Sequence, residues 1–430
     1  MCPDFERVER IVQNMVDKTE KVGLNRSILH REMLRSNQIR DEETGRDVPS
    51  EERMIKRFRR SAAGYDEQLP SDIRTPETLR MTLNYLLDNV VEGEGRLATV
   101  HKFVWDRTRG IRNDFSIQQV TREEDVRIAI DCFERIARFH ILSLHQLSNP
   151  ENLVSEHFDA HQEREQLNNT LLSLMYYYDD HRGRQSFQNE AEFRAYCIIF
   201  ELQSQQPDLE DRMQSWPLEL LKDPRTGTAF KLYAAAGNTL YDQGPLKPQA
   251  AFDIAQGNAA GFWNLLKSKR VTYLMACVAE IYFGQVRFMA LQSLWKSTKR
   301  APASMQARLQ DWSVEELTKL LGFDDEEQAS EFCGEYDLGF KLNDAGEQYL
   351  DFTSQPEMAL DSKSKPRIPR TLKTISLMLF RIIHAKQTGL LIRNRRGEAI
   401  SQNTCCRDQR CWGCTGHPRG TDRRTAGDWR

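Results

Sequence analysis

Two groups of side chains in this 430-residue sequence have types and spacings that suggest metal chemistry. Cys405, Cys406, Cys411, Cys414 and His417 lie close together near the C-terminus. Cys411 and Cys414, with two residues between them and His417 just beyond, have the pattern of half a zinc site. A structural zinc site needs its ligands held in order, and only Trp412 is at hand to pack around these, so a metal-free tail is favoured. His157, His161 and Glu165 recur at four-residue steps and so share one face of a helix. Two histidines and a carboxylate can hold zinc. The pattern is not His-Glu-x-x-His, however, and no general base accompanies it, so a polar exposed face is the stronger reading. There is no Walker A, no Gly-x-Gly-x-x-Gly after a strand and no Gly-x-Ser-x-Gly. Nothing positive supports an enzyme, and no cofactor is expected.

The cationic groups suggest phosphate. Arg107, Arg109 and Arg112 stand at helical spacing, interleaved with Asp106 and Asp114. Guanidinium groups in such a row can hold phosphates, but acids this close favour a structural ion-pair cluster. Arg53-Met-Ile-Lys-Arg-Phe-Arg-Arg60 puts five basic side chains around Ile55 and Phe58. It reads equally as a nucleic-acid or localisation-receptor motif and as a solvated helix face anchored by two hydrophobes. Lys267, Lys269 and Arg270 close one predicted helix, and Lys296, Lys299 and Arg300 close another. Cations at helix C-termini complement the dipole, yet these six are also the candidate nucleic-acid-binding residues. His140 lies on an apolar face and is expected to be a satisfied core histidine.

The elements that must position these groups are helical. Hydrophobic residues make up 39% and charged residues 29% of the chain, enough for a sizeable core under a solvated exterior. Phe5, Val8, Val12, Met15, Thr19 and Val22 share one face at steps of three and four, which predicts a first amphipathic helix. Thr75-Pro76 opens another, with threonine as N-cap and proline at the first helical position. Its apolar face runs Leu79, Leu83, Leu86, Leu87 and Val90. A third helix gathers Ala129, Phe133, Ile136, Ala137, His140, Leu144 and Leu147, and Asn149-Pro150 stops it. Further amphipathic stretches cover 166–178, 190–203, 229–236 and 252–266, and a long one covers 271–295. Glu280, Gln285 and Arg287 interrupt the last, which argues against a bilayer span. Helices of this length with short polar connectors predict a solenoid-like stack of hairpins over residues 1–300. Cys132, Cys197 and Cys277 sit singly in apolar stretches as small hydrophobes. Met1 to Glu20 is charged throughout and carries no signal-peptide pattern, so a soluble, intracellular protein is expected.

After Trp312 the pattern changes. Ser313-Val-Glu-Glu makes a capping box for a helix that ends at Gly322. Acidic residues from Asp324 load the first turn of a second helix, 326–336. Two β-like pieces follow around 340–342 and 348–352. Helix, turn, helix and hairpin over 301–360 is the order of a winged helix, a module that reads DNA or docks proteins. The net charge of −3 hides a polarity: residues 311–360 carry 14 acidic against 2 basic residues, and residues 361–430 carry 16 basic against 5 acidic. Residues 361–400 read as a basic linker with one amphipathic helix over 371–386, and 401–430 as a disordered Cys/Arg-rich tail. The basic arm suits nucleic acid or an acidic partner.

Two segments carry a family signature: Leu69-Pro-Ser-Asp-Ile-Arg-Thr-Pro-Glu-Thr-Leu79 and Phe103-Val-Trp-Asp-Arg-Thr-Arg-Gly-Ile-Arg-Asn-Asp-Phe115. They resemble the shared domain of the GANP and suppressor-of-actin family, the large scaffold subunit of the TREX-2 mRNA-export complex. Met1-Cys-Pro-Asp-Phe-Glu-Arg looks like the tail of that family's opening motif. Phe133-Glu-Arg-Ile-Ala-Arg-Phe-His140 and Gly322-Phe-Asp-Asp-Glu-Glu also fit it. The resemblance covers about residues 1 to 360 and implies a mostly-α helical array capped by a PCI-like winged helix. It further implies a PCI-domain partner subunit, a small acidic Sem/DSS-type protein, RNA binding and a nuclear location at pores. It places nucleic acid near the junction that the six candidate cations flank. The FG-rich segment that would recruit the export receptor is absent from this sequence, and so is the downstream helix that would bind centrin-like and Sus-type partners. Two other readings remain: a PCI-like scaffold of another assembly, such as a proteasome-lid relative or centrosomal paralogue, and a winged-helix DNA-binding regulator. The acidity of 311–360 speaks against the second, since it would repel a duplex.

Overall fold

The structure is a computed structural model that describes residues 1–22, 48–59, 69–92, 97–148, 158–202, 207–237, 258–300, 302–306, 312–343 and 346–351. The zinc candidate Cys405–His417, the basic linker, His157 and the arm after Phe352 lie outside the described residues. Contacts divide the chain into Met1–His384 and Ala385–Arg430, and all described residues belong to the first.

Helices dominate these residues. They are α1 (Asp4–Val12), α2 (Pro76–Asn84), α3 (Leu97–Gln118), α4 (Glu123–Leu147), α5 (Ala160–Asp180) and α6 (Glu190–Phe200). Next come α7 (Pro207–Gln214), α8 (Leu218–Lys222), α9 (Pro224–Gly237), α10 (Ala259–Lys267), α11 (Tyr273–Glu280), α12 (Phe283–Arg300) and α13 (Ala303–Gln306). After them stand α14 (Val314–Leu321) and α15 (Glu326–Gly334). Two antiparallel ribbons complete the list: β1 (Lys21–Val22) with β2 (Val48–Pro49), and β3 (Gly339–Leu342) with β4 (Gln348–Asp351). The expected mostly-α class is what the chain adopts.

Successive helices pack against one another and build one continuous core. α4 packs on α2, α5 and α11; α6 packs on α9, α9 on α10, and α10 on α12 and α14. The core runs without a break from Ile55 to Leu350. Its centre is α4, whose Ala129, Phe133, Ile136, Ala137, His140, Leu144 and Leu147 are all buried, as their 3.6-residue spacing predicts. The caps read from sequence also form. Thr75 Oγ1 accepts from Thr78 N at 3.4 Å, and α2 continues as a π-helical turn, Tyr85–Val91, that buries Leu86 and Val90.

Two expectations need correction. The apolar stripe of the first helix does not continue to Val22. α1 stops at Val12, Asn14 takes a left-handed conformation (φ 55°) and Met15 N donates back to Arg10 O at 2.8 Å, a reversal that asparagine tolerates. The stripe also faces outward. α1 instead buries Glu6 and Arg10, because Arg10 donates to Ile55 O at 3.0 Å and pairs with Glu20, while Glu6 accepts from Arg57 N at 2.8 Å. Specific ion pairs outweigh the burial of a few aliphatic side chains here.

The long stretch 271–295 is two helices, not one. α11 and α12 meet at a 60° bend. The bend sits at Tyr282, whose hydroxyl donates to Phe200 O and whose amide donates to Ala279 O at 3.0 Å, a tightened turn. No single helix among the described residues is long and apolar enough to cross a membrane.

Candidate interaction surface at the end of the helical array

The elements after Trp312 join the array through apolar packing and one buried cation. Leu317 and Leu321 of α14 face the core, and the Ser313–Glu316 capping box closes the helix start, with Glu316 N to Ser313 Oγ at 3.2 Å. Gly322 ends the helix with φ 67°. A Cβ there would meet the Trp263 ring at 2.7 Å, so only glycine allows both the turn and the contact with α10. Into this turn reaches Arg287 of α12, 1% exposed. Its Nε donates to Leu321 O at 3.0 Å and a terminal nitrogen to Gly322 O at 2.9 Å, and its guanidinium lies 3.8 Å from the Phe323 ring centroid. The carbonyl end of a helix dipole and an aromatic face both suit a cation. Burial nevertheless lowers the Arg287 pKa to about 10, which leaves it charged at neutral pH.

The same core continues beyond this clamp. Phe323 packs on Phe332, Phe332 on Tyr336, and Tyr336 on Phe288 of α12, with centroids 5.2–5.4 Å apart. The hairpin pairs Gly339 with Asp351 and Leu342 with Gln348. Ser313 bridges to Tyr349, and Leu350 N donates to Trp312 O at 2.9 Å, so the residues before α14 join the hairpin edge. The outer face is acidic: Glu315, Glu316, Asp325, Glu326, Glu327, Glu331 and Glu335 are exposed. Such a face repels phosphate.

The cations stand elsewhere. α10 turns Phe262, Trp263 and Leu266 inward and leaves Lys267 exposed on its last turn; Lys269 and Arg270 are exposed in the turn that follows. Lys296, Lys299 and Arg300 lie on the last turns of α12, and their side chains fall outside the described residues. The packing of Phe262 and Trp263 on Phe283 brings α10 to the N-terminal end of α12. Lys296 is 13 residues further on, about 20 Å along the helix axis.

The other candidates serve the fold. Arg107 is buried among Asp17, Glu20 and Asp106, and their charges raise its pKa against the opposing effect of burial. Arg109 stacks on Phe58 and Trp105, 4.1 and 4.6 Å from their centroids. Burial lowers the Arg112 pKa to about 10, and it donates to Gln166. Arg53–Arg59 is not a helix. Lys56 is buried, bonded to Asp114 at 2.7 Å and to Asp72 O at 2.8 Å, while Arg59 pairs with Glu9. That run ties the N-terminal segment to α3.

Sequence reasoning missed a buried polar triad. Glu163 binds His140 Nδ1 at 2.8 Å and His101 Nε2 at 3.1 Å through its two oxygens. Burial raises the Glu163 pKa, but the two histidines more than reverse this and bring it down to about 2. Burial in turn holds the His140 pKa down. The signal was present: an acid in every other respect suited to an exposed face sits one turn before Gln166 and Leu167, on the buried side of α5. No group of three His, Cys, Asp or Glu among the described residues is placed to hold a metal. A cleft of about 640 Å³ opens beside α5, α6 and α7, lined by His161, Glu165, Cys197 and Trp216. Burial pushes the Cys197 thiol up to about 11, which keeps it protonated and poorly nucleophilic.

Comparison with known proteins identifies the family. Residues 1–342 match the SAC3/GANP family. SAC3 family protein 1 of Schizosaccharomyces pombe is 36% identical over 368 residues, covering 85% of this chain and 32% of that protein. Protein xmas of Drosophila melanogaster is 28% identical over 363 residues, 81% of this chain and 15% of that protein. SAC3 family protein B of Arabidopsis thaliana is 29% identical over 300 residues, 68% of this chain and 15% of that protein. The chain thus spans a third or less of the relatives it matches. With its signature segments, its helical array and its match over residues 1–342, this chain belongs to the SAC3/GANP family.

Proposed function

We propose that this chain is a scaffold rather than an enzyme, the helical core of a TREX-2-type mRNA-export assembly in the nucleus. Family membership supports the mRNA-export role. The observation that carries the scaffold reading is the clamped end of the array. Arg287 of α12 bonds the end of α14 and Gly322 seats it against Trp263 of α10, and the module so held presents an acidic outer face. We read residues 312–351 as a PCI-like winged helix. Three features support that: the Ser313–Tyr349 bridge, the helix pair α14–α15 and the β3–β4 hairpin, in that order. In this reading the module docks a PCI-domain subunit, a small acidic Sem/DSS-type protein completes the platform, and the assembly couples transcription to export at nuclear pores. Single-stranded RNA runs past Lys267, Lys269, Arg270, Lys296, Lys299 and Arg300.

Direct reading of duplex DNA by the module is disfavoured, because its exposed acids would face the phosphates. The deciding experiment is co-expression with a PCI-type subunit and a Sem-type protein, followed by size-exclusion chromatography and RNA titration. A stable stoichiometric complex that binds RNA supports the proposal. A chain that stays monomeric beside both candidates, or a complex indifferent to RNA, counts against it.

A further inference from the structure

The α9–α10 pair has one cationic end. Residues 217–237 and 258–272 hold six basic side chains and only two acids. Ala235 O accepts from Asn258 N at 3.2 Å and the two helices pack along each other, so they run antiparallel. From that contact, Pro224 lies eleven residues back along α9 and Lys267 nine residues on along α10. At 1.5 Å per residue these are about 16 and 14 Å, so the start of α9 and the end of α10 meet at the same end of the pair. Lys222, the last residue of α8, stands two residues before Pro224 and joins Lys267, Lys269 and Arg270 there. All four are exposed. We propose that Lys222 is a further phosphate contact for single-stranded RNA, whose path crosses the array at this end of α9 and α10. The contact rests on the RNA-binding role proposed for the chain and extends the path to α8.

The positive charge of this end is not spent inside the fold. Asp223 is closed on Arg225 by two bonds of 3.1 Å, and it accepts from Arg225 N at 2.8 Å, which caps α9. Glu192 of α6 is closed on Arg138 at 3.1 and 3.2 Å. Tyr196, one turn further along α6, links the two sides of the patch. Its hydroxyl lies within bonding reach of Thr272, just beyond Arg270, and it acts with Glu192 on Arg225. Lys222, Lys267, Lys269 and Arg270, by contrast, form no ion pair with another described residue. Glu219 is the one acid of residues 217–237 and 258–272 left to oppose them. A peptide or a membrane surface would need apolar anchors as well as charge. Leu218 is the one large hydrophobic side chain exposed among residues 211–236 and 258–295. Phosphates need only the cations, which position a strand without reading its bases.

The test uses the full chain co-expressed with the PCI-type and Sem-type subunits, and a labelled oligouridylate. Lys222→Gln keeps most of the side-chain stem and removes the charge. Lys319→Gln, on the acidic face of α14, makes the same change away from the patch. Both side chains are exposed, so neither melt should move by much. Anisotropy titrations at about 50 and 200 mM salt read the affinity and its salt slope. Lys222→Gln should bind more weakly at the lower salt and lose about 0.7 from the log–log slope, so that its affinity falls about 2.6-fold less than the parent's across that range. Lys319→Gln should match the parent. If the parent binds RNA and Lys222→Gln matches it, the path does not reach α8 and the Lys222 contact alone falls. If the parent binds no RNA at either salt, the RNA-binding role falls with it. A labelled acidic peptide is titrated in parallel. Peptide binding that Lys222→Gln weakens, with RNA binding unchanged, would give the patch to a protein partner and overturn the phosphate contact.

Discussion

Arg287 and Glu163 are charged groups in apolar surroundings, and each is kept there by named partners. Arg287 donates to the two carbonyls that end α14. Replacing it by alanine strands those carbonyls and opens a space among Trp263, Phe283 and Phe323, so Arg287→Ala should cost about 3 kcal/mol. The loss should be local: amide exchange of α14 and α15 should speed up more than that of α4. Uniform loss of protection across the chain would show that Arg287 does not act as a clamp. For Glu163 the sign follows from its pKa, lowered from 4.5 to about 2 by the histidines against the effect of burial. A carboxylate depressed in the folded state stabilises above its unfolded pKa and loses that contribution as pH falls through the folded one. Glu163→Gln should therefore lower the melting temperature at pH 7, by an amount worth about 3 kcal/mol. The gap to the parent should narrow between pH 4.5 and pH 2, the window of that shift. Melts of both proteins across this range check it, and a gap independent of pH would refute the assignment.

Between elements, turns and breaks decide how helices meet. α14 can end against α10 only because Gly322 has a left-handed backbone and no side chain under Trp263. Gly322→Ala should cost more than about 1 kcal/mol, since it adds backbone strain to a clash with a packed indole. Ser313→Ala, which removes one half of a capping box, should cost about 1 kcal/mol. Denaturant midpoints rank the two. If the serine variant were the more damaged, the close contact of Trp263 with Gly322 would not be the stronger constraint. The bend between α11 and α12 has a similar origin, because Tyr282 anchors the corner to Phe200 O. Tyr282→Phe removes that bond and keeps the ring.

Among the described residues, charge separates by surface. The module after Trp312 is acidic outside, while Lys267, Lys269 and Arg270 are exposed on the neighbouring turn. RNA attracted only by local cations should lose affinity with salt at a log–log slope near −0.7 per phosphate neutralised on a single strand. It should also show little sequence preference, because phosphate contacts carry no base information. Lys296, Lys299 and Arg300 reversed to glutamate should weaken every sequence alike and flatten the slope, without loss of the PCI-type partner. Anisotropy titrations of the partner-bound complex at two salt concentrations measure this. An unchanged slope would move the RNA path to another surface.

Many helix positions and ends were legible in the sequence, because they depend on neighbours three or four residues away, but the early stop of α1 and the break at Tyr282 were not. The α4 core stripe, the Thr75 and Ser313 caps and the stop at Gly322 all rest on such local rules. The signature segments likewise carried the family. Which face of a helix turns inward is a different matter, since it depends on residues far apart in sequence. α1 shows this: its stripe has an ordinary amphipathic spacing, yet Glu20, Ile55 and Arg57 bind its polar edge and turn the stripe to solvent. The same holds for the cations. Arg107 and Lys56 sit in two separate basic groups that sequence left open to phosphate or to the fold, and Asp17, Glu20 and Asp114 come from other elements to neutralise them. Arg287 appeared only as a charge interrupting an apolar run, and its partners lie 34 and 35 residues downstream. Sequence alone determined where most of the described helices run and what family they form. Only tertiary structure decided which charges are spent inside the fold and which remain on its surface, because that depends on ion pairs closed over long distances along the chain.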